Sequence, residues 1–153
     1  MPFLPSCAAQ ASLRRSEIWR QRRLSVQAMA LLCLARLFVA FVPLRMWRHT
    51  IGHVCSARSI QPNPAATKPA QRVAAHVEQA ASRLPFDTKC LPRAMTLAWL
   101  LQMQGVPYTI KLAARPVQMR NGKDDLHAWV EVGGTAILGW VDGPWIVVLT
   151  LTR

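Results

Sequence analysis

Acidic residues are scarce in this 153-residue chain: 7 Asp and Glu stand against 19 Lys and Arg, leaving a formal net charge of +12. Before Glu78 the only acid is Glu17. An excess of this size points to an acidic partner, an anionic membrane surface or nucleic acid. No aromatic-interleaved or other nucleic-acid motif accompanies it, so no nucleic-acid partner is expected. The four cysteines, Cys7, Cys33, Cys55 and Cys90, are widely spaced and contain no C-x-x-C pair. That excludes a dense disulfide framework and implies reduced thiols and a cytoplasmic setting. No internal repeat is present. Hydrophobic residues make up 52%, which excludes wholesale disorder and allows a packed core.

The apolar run Leu24–Leu44 is about 20 residues, long enough to span a bilayer. Arg36 near its middle and Gln27 near its start oppose insertion. An arginine cluster precedes the run, as in a signal peptide, but no small-x-small cleavage site follows. The expectation is a helix buried against the protein or a partner, with peripheral membrane association as the alternative.

The pattern predicts helices first and antiparallel strands afterwards, an α+β fold. A first helix is expected from a Ser12 cap to about Phe41, stopped by Pro43, and a second over Leu44–Cys55. The proline-rich stretch Ser59–Ala66 reads as a linker. This gives an N-terminal basic helical region and linker at 1–66 and a core at 67–153. The core opens with a helix capped by Thr67, with Val73, Val77, Ala80, Ala81 and Leu84 on one face. A second core helix starts at Cys90, carries Leu97, Leu100 and Leu101 inward and ends before Gly105. Strands are expected at 108–113, 127–132, 135–141 and 145–151, with Gly133-Gly134 as a hairpin turn.

Cys90 carries the chemistry. A thiol at a helix N-terminus faces unpaired N–H groups and the positive end of the helix dipole, which favour thiolate, the nucleophilic form. Arg93 in the same first turn opposes the dipole and reads as a substrate or charge contact. His127 opens the run His127-Ala128-Trp129-Val130-Glu131-Val132, and a helix-tip cysteine with a strand histidine makes a nucleophile–base pair. A third group normally orients the imidazole. Glu131 is about 13 Å further along the strand, out of reach. A two-residue turn at Gly133-Gly134 places Trp140 opposite His127 and Asp142 on the same face. A three-residue turn places Gly139 opposite His127 and turns Asp142 away. His49, His53 and Cys55 are close in sequence but lack a fourth ligand, so no metal is expected.

The stretch L-P-F-D-T-K-C-L-P-R-A-M-T-L-A-W-L-L-Q-M-Q-G-V-P, followed by H-A-W-V-E-V-G-G, resembles the standalone transglutaminase-like leader peptidases of lasso-peptide biosynthesis. The resemblance implies a transglutaminase-like or papain-like core in which the Cys90 helix packs on an antiparallel sheet. It implies a cysteine peptidase that removes the leader from a ribosomally made precursor peptide, with Cys90 as nucleophile and His127 as general base. It also implies a separate leader-recognition protein and an asparagine-synthetase-like cyclase; the cyclase uses ATP, and this chain needs no cofactor. An acidic third residue is expected a dozen or so positions after the histidine. Gly139 occupies that place, so Asp142 through a shifted register is the candidate third member, with a Cys–His dyad as the other arrangement. Acyl transfer to an amine is the alternative chemistry, and a non-catalytic basic scaffold for a membrane or partner is the alternative without chemistry.

Overall fold

A computed structural model describes residues 7–54, 64–120, 122 and 125–153. The described chain folds as four helices packed on one antiparallel sheet: α1 (Cys7–Phe41), α2 (Leu44–Ile51), β1 (His53–Val54), α3 (Pro64–Arg83), α4 (Cys90–Met103), β2 (Thr109–Ala114), β3 (Leu126–Val132), β4 (Thr135–Leu138) and β5 (Ile146–Thr152). The strand order is β1-β5-β2-β3-β4. The fold is α+β, as the sequence pattern implies.

The first helix starts earlier than expected, at Cys7, so Ser12 lies inside it and not at its cap. Pro43 separates α1 from α2. The second helix stops at Ile51 and does not run on to Cys55. Gly52 breaks it at φ 140°, and His53–Val54 then pairs with Leu151 and Thr152 of β5. Cys55 and the linker residues before Pro64 lie outside the described residues. The third helix begins at Pro64, where a missing N–H costs nothing, leaving Thr67 and Pro69 within it.

α1 supplies both core and surface. Ala28, Leu32 and Ala35 are fully buried, spaced to share one helix face. That face packs on α3 and α4, and Ser25 Oγ lies 3.2 Å from His76 Nδ1 of α3. The opposite side exposes Val26, Leu37 and Phe41. Glu17–Phe41 is long and apolar enough to cross a membrane, and 17% of its 18-residue apolar window is buried. The expected buried helix is therefore buried along one stripe only.

The face of α4 chosen by the sequence is the one that packs: Leu97, Leu100 and Leu101 are at most 1% exposed. Gly105, at φ 68°, ends the helix. Its N–H bonds Gln102 O and the Val106 N–H bonds Leu101 O, the paired bonds of a Schellman cap. Ala128, Val130 and Val132 of β3 face the helices and join Ile110 and Leu151 in the core. The buried Tyr108 hydroxyl donates to Ile51 O at 2.9 Å, fastening the end of α2 to the start of β2.

Candidate active site

Cys90 is the first residue of α4. The preceding Lys89 is extended and provides no side-chain cap, so the helix opens with its first N–H groups free of a capping side chain. The half-buried thiol points toward the sheet, with Sγ 3.9 Å from Leu126 O, the residue before His127. Antiparallel pairing of β3 with β2 brings His127 opposite Ala113 and sets it at the near end of the sheet. Cys90 and His127 thus line one cleft of about 1080 Å³.

The cleft lies between α1 and α4 on one side and the chain after β4 on the other. Arg36, Val39 and Leu44 form one wall, and Trp140 and Val141 another. Leu149 and Val148 of β5 line it as well. Leu112 pairs with Leu149 but Ala113 pairs with Val147, so Val148 is the extra residue of a bulge. Bulges of this kind re-aim side chains beside functional sites.

The loop that leads into Cys90 is tied on two sides. Arg36 Nη1 of α1 donates to Asp87 O at 2.7 Å, and its guanidinium stacks on Phe86 at 4.8 Å. Arg93 Nε donates to Thr88 Oγ1 at 3.0 Å, and its Nη1 pairs with Glu78 of α3 at 3.1 Å. Arg93 was expected to make a substrate or charge contact, and a charge contact to Glu78 is what the structure gives it. The Arg36 tie was missed by sequence reasoning, although an arginine inside an apolar run was its visible signal.

His127 accepts neither alternative register in full. Val132 pairs with Thr135, as a two-residue turn requires, and both Gly133 and Gly134 have positive φ. One residue further on, Ile137 bulges out, and Val130 pairs with Leu138. The expected strand to Val141 therefore ends at Leu138. His127 Nε2 hydrogen-bonds the main-chain oxygen of Gly139. Asp142 is not brought to His127: it is exposed, and its Oδ1 accepts from Trp140 Nε1 at 3.2 Å. The bulge displaces it from the diagonal position that an unbroken two-residue register predicts.

The outer face of β3 carries an aromatic cluster around the imidazole. Trp145 stacks on His127 with 5.0 Å between ring centroids and 28° between planes, and Trp129 with 6.3 Å and 29°. Arg115 stacks on Trp145, and Trp140 meets Trp129 edge-on. Glu131, further along this face, binds Lys111 Nζ and Trp129 Nε1, both at 2.8 Å. Strand parity put Trp129 on the histidine's face, but nothing in the sequence linked Trp145 to it.

His49 and His53 fall on different elements, α2 and β1, and no cluster of three metal-binding side chains exists among the described residues. No curated protein and no solved structure matches the chain. Residues 35–144 match the family model described as the transglutaminase-like superfamily. The match runs from Ala35 on α1 through both Cys90 and His127 to Pro144, well over half of the chain, and so the protein belongs to the transglutaminase-like superfamily.

Proposed function

We propose that the protein is a cysteine peptidase that removes the leader from a ribosomally made lasso-peptide precursor. The observation that carries this reading is the meeting of Cys90 and His127 in one cleft, from a helix tip and a strand, in a transglutaminase-like chain. The C-L-P-R-A and H-A-W-V-E motifs support the finer assignment.

In this reading His127 takes the Cys90 proton and the thiolate attacks the scissile carbonyl at the leader–core junction. The Cys90 backbone N–H, at the uncapped start of α4, donates to the oxyanion. The C–N bond breaks, and the core amine leaves with the proton held by His127. Water then adds to the thioester, giving the leader carboxylate and restoring the thiol. The freed core N-terminus passes to an ATP-using, asparagine-synthetase-like cyclase, while a separate protein presents the leader. The reaction belongs to the cytoplasm, and the exposed apolar face of α1, next to Arg15, Arg20, Arg22 and Arg23, serves peripheral contact with an anionic membrane surface.

Mass spectrometry of a cognate precursor incubated with the protein and its leader-recognition partner tests the reading. Cleavage at the junction by wild type and none by Cys90→Ala is expected. Equal cleavage by both would sink it. A labelled amine found on the released leader would assign acyl transfer in place of hydrolysis.

A further inference from the structure

We propose that the main-chain carbonyl of Gly139 is the group that positions His127, in the role a side-chain carboxylate or amide fills in other cysteine–histidine sites. The proposal deepens the peptidase reading of the Cys90–His127 pair and rests on it.

His127 Nε2 bonds Gly139 O. A carbonyl oxygen can only accept, so Nε2 carries the proton. In the neutral ring this leaves the lone pair on Nδ1, and Nδ1 becomes the base. The bond therefore selects the tautomer and fixes one edge of the ring, while Trp145 and Trp129 stack beside its plane at tilts of 28° and 29°. The bulge at Ile137 is the device that makes the bond available, because beyond Leu138 the chain leaves the ladder and the Gly139 carbonyl is turned to the imidazole.

The arrangement also explains why this position is glycine. Gly139 has φ +80°, and a Cβ there would stand 2.7 Å from the carbonyl oxygen of Ala128. That oxygen belongs to the backbone of β3, next to His127 itself, so it cannot give way without moving the histidine. A side chain at this position and the carbonyl's present aim are mutually exclusive.

The described acidic side chains nearest to His127 in sequence are engaged elsewhere. Asp142 binds Trp140, Glu131 binds Lys111 and Trp129, and Asp125 accepts from the Gly122 N–H. Arg115 stacks on Trp145, which is itself stacked with the ring, and Cys90 approaches from α4. A carbonyl orients the imidazole as a carboxylate does but brings no formal charge, so positioning, and not charge neutralisation, is its contribution.

Nitrogen-15 NMR of histidine-labelled wild type provides the first test. A proton on Nε2 is expected, whether or not Nδ1 has taken the Cys90 proton; an Nε2 that carries no proton overturns the proposal. The second measurement is alkylation of Cys90 by iodoacetamide, followed by peptide mass. In Gly139→Ala, mixed tautomers and a roughly tenfold slower alkylation at neutral pH are expected, with the alkaline rate unchanged, since the thiol proton is then less readily taken. Unchanged tautomer and rate in a folded Gly139→Ala overturns the proposal, and should that variant not fold, the wild-type tautomer decides. Asp142→Asn is expected to change neither readout; loss of the Nε2 proton in that variant would transfer the role to Asp142. Both readouts are independent of any peptide substrate, so an Nε2-protonated wild type that cleaves no precursor supports the positioning role while defeating the peptidase reading.

Discussion

Arg36 sits in the middle of an apolar helix, and removing its guanidinium while keeping its stem isolates what it contributes. Methionine is the substitution to use, because it keeps an unbranched side chain and a similar helix propensity. Two interactions are lost: the 2.7 Å bond to Asp87 O and the stacking on Phe86. Both are at an exposed position, so each is worth ~0.5–1 kcal/mol, giving ~1–2 kcal/mol together. For a chain of this size that lowers Tm by ~2–8 °C. Thermal melting followed by circular dichroism reads the stability. Amide exchange at Thr88–Leu91 reads the local effect, because Asp87 lies three residues before Cys90. Faster exchange there is expected, along with slower turnover, since a loosened entry to α4 misplaces the nucleophile. A double-mutant cycle with Phe86→Leu is expected to show coupling of ~0.5–1 kcal/mol. A Tm within ~1 °C of wild type, with unchanged exchange at Thr88–Leu91, would refute the reasoning and leave Arg36 a solvated charge.

Leu32→Ala, in the fully buried stripe of α1, is expected to cost ~2–5 kcal/mol in urea unfolding; a negligible loss would mean that α1 does not pack on α3 and α4 in solution. Glu78→Gln is expected to cost under ~1 kcal/mol, because its pair with Arg93 is 48% exposed on the Glu78 side; a larger loss by chemical denaturation would contradict this. Burial pushes Tyr108 up to about 12, against the lowering pull of Arg153. The unfolded chain therefore releases this proton first, at about pH 10, and stability falls as pH rises from about 10 to about 12. Tyr108→Phe loses the bond to Ile51 O but is expected to lack this alkaline decline; a parallel decline in both proteins would rule out the assignment.

Much of the site was legible because its signals are local. A helix beginning at Cys90 follows from the extended Leu84–Lys89 segment and Pro92 in the first turn, and its end follows from Gly105. The strand at His127 and the Gly133-Gly134 turn are equally local, resting on alternation and on glycines that adopt positive φ. What could not be read depends on register or on distant partners. The bulge at Ile137 has no sequence marker, and that one residue decides that Gly139 O, and not Asp142, meets His127. β1 is two residues long and exists only because β5 is there to pair with it. The Arg36 bond joins residues 51 positions apart, beyond the range of any helical or strand periodicity.

β5 is last in sequence among the strands but lies inside the sheet, between β1 and β2. Tyr108 and Arg153 exchange two backbone hydrogen bonds at its end, both 3.1 Å. Leu149 and Leu151 cover Leu112 and Ile110, the strand partners that adjoin the cleft floor and core. During synthesis, then, the nucleophile and the histidine both leave the ribosome before the strand that completes their sheet. Until Ile146–Thr152 docks, β2 presents an open edge and the cleft lacks one lining. Completion of the site therefore waits on long-range strand pairing, which forms more slowly than local contacts, and a truncation before Ile146 removes a structural interior, not a tail.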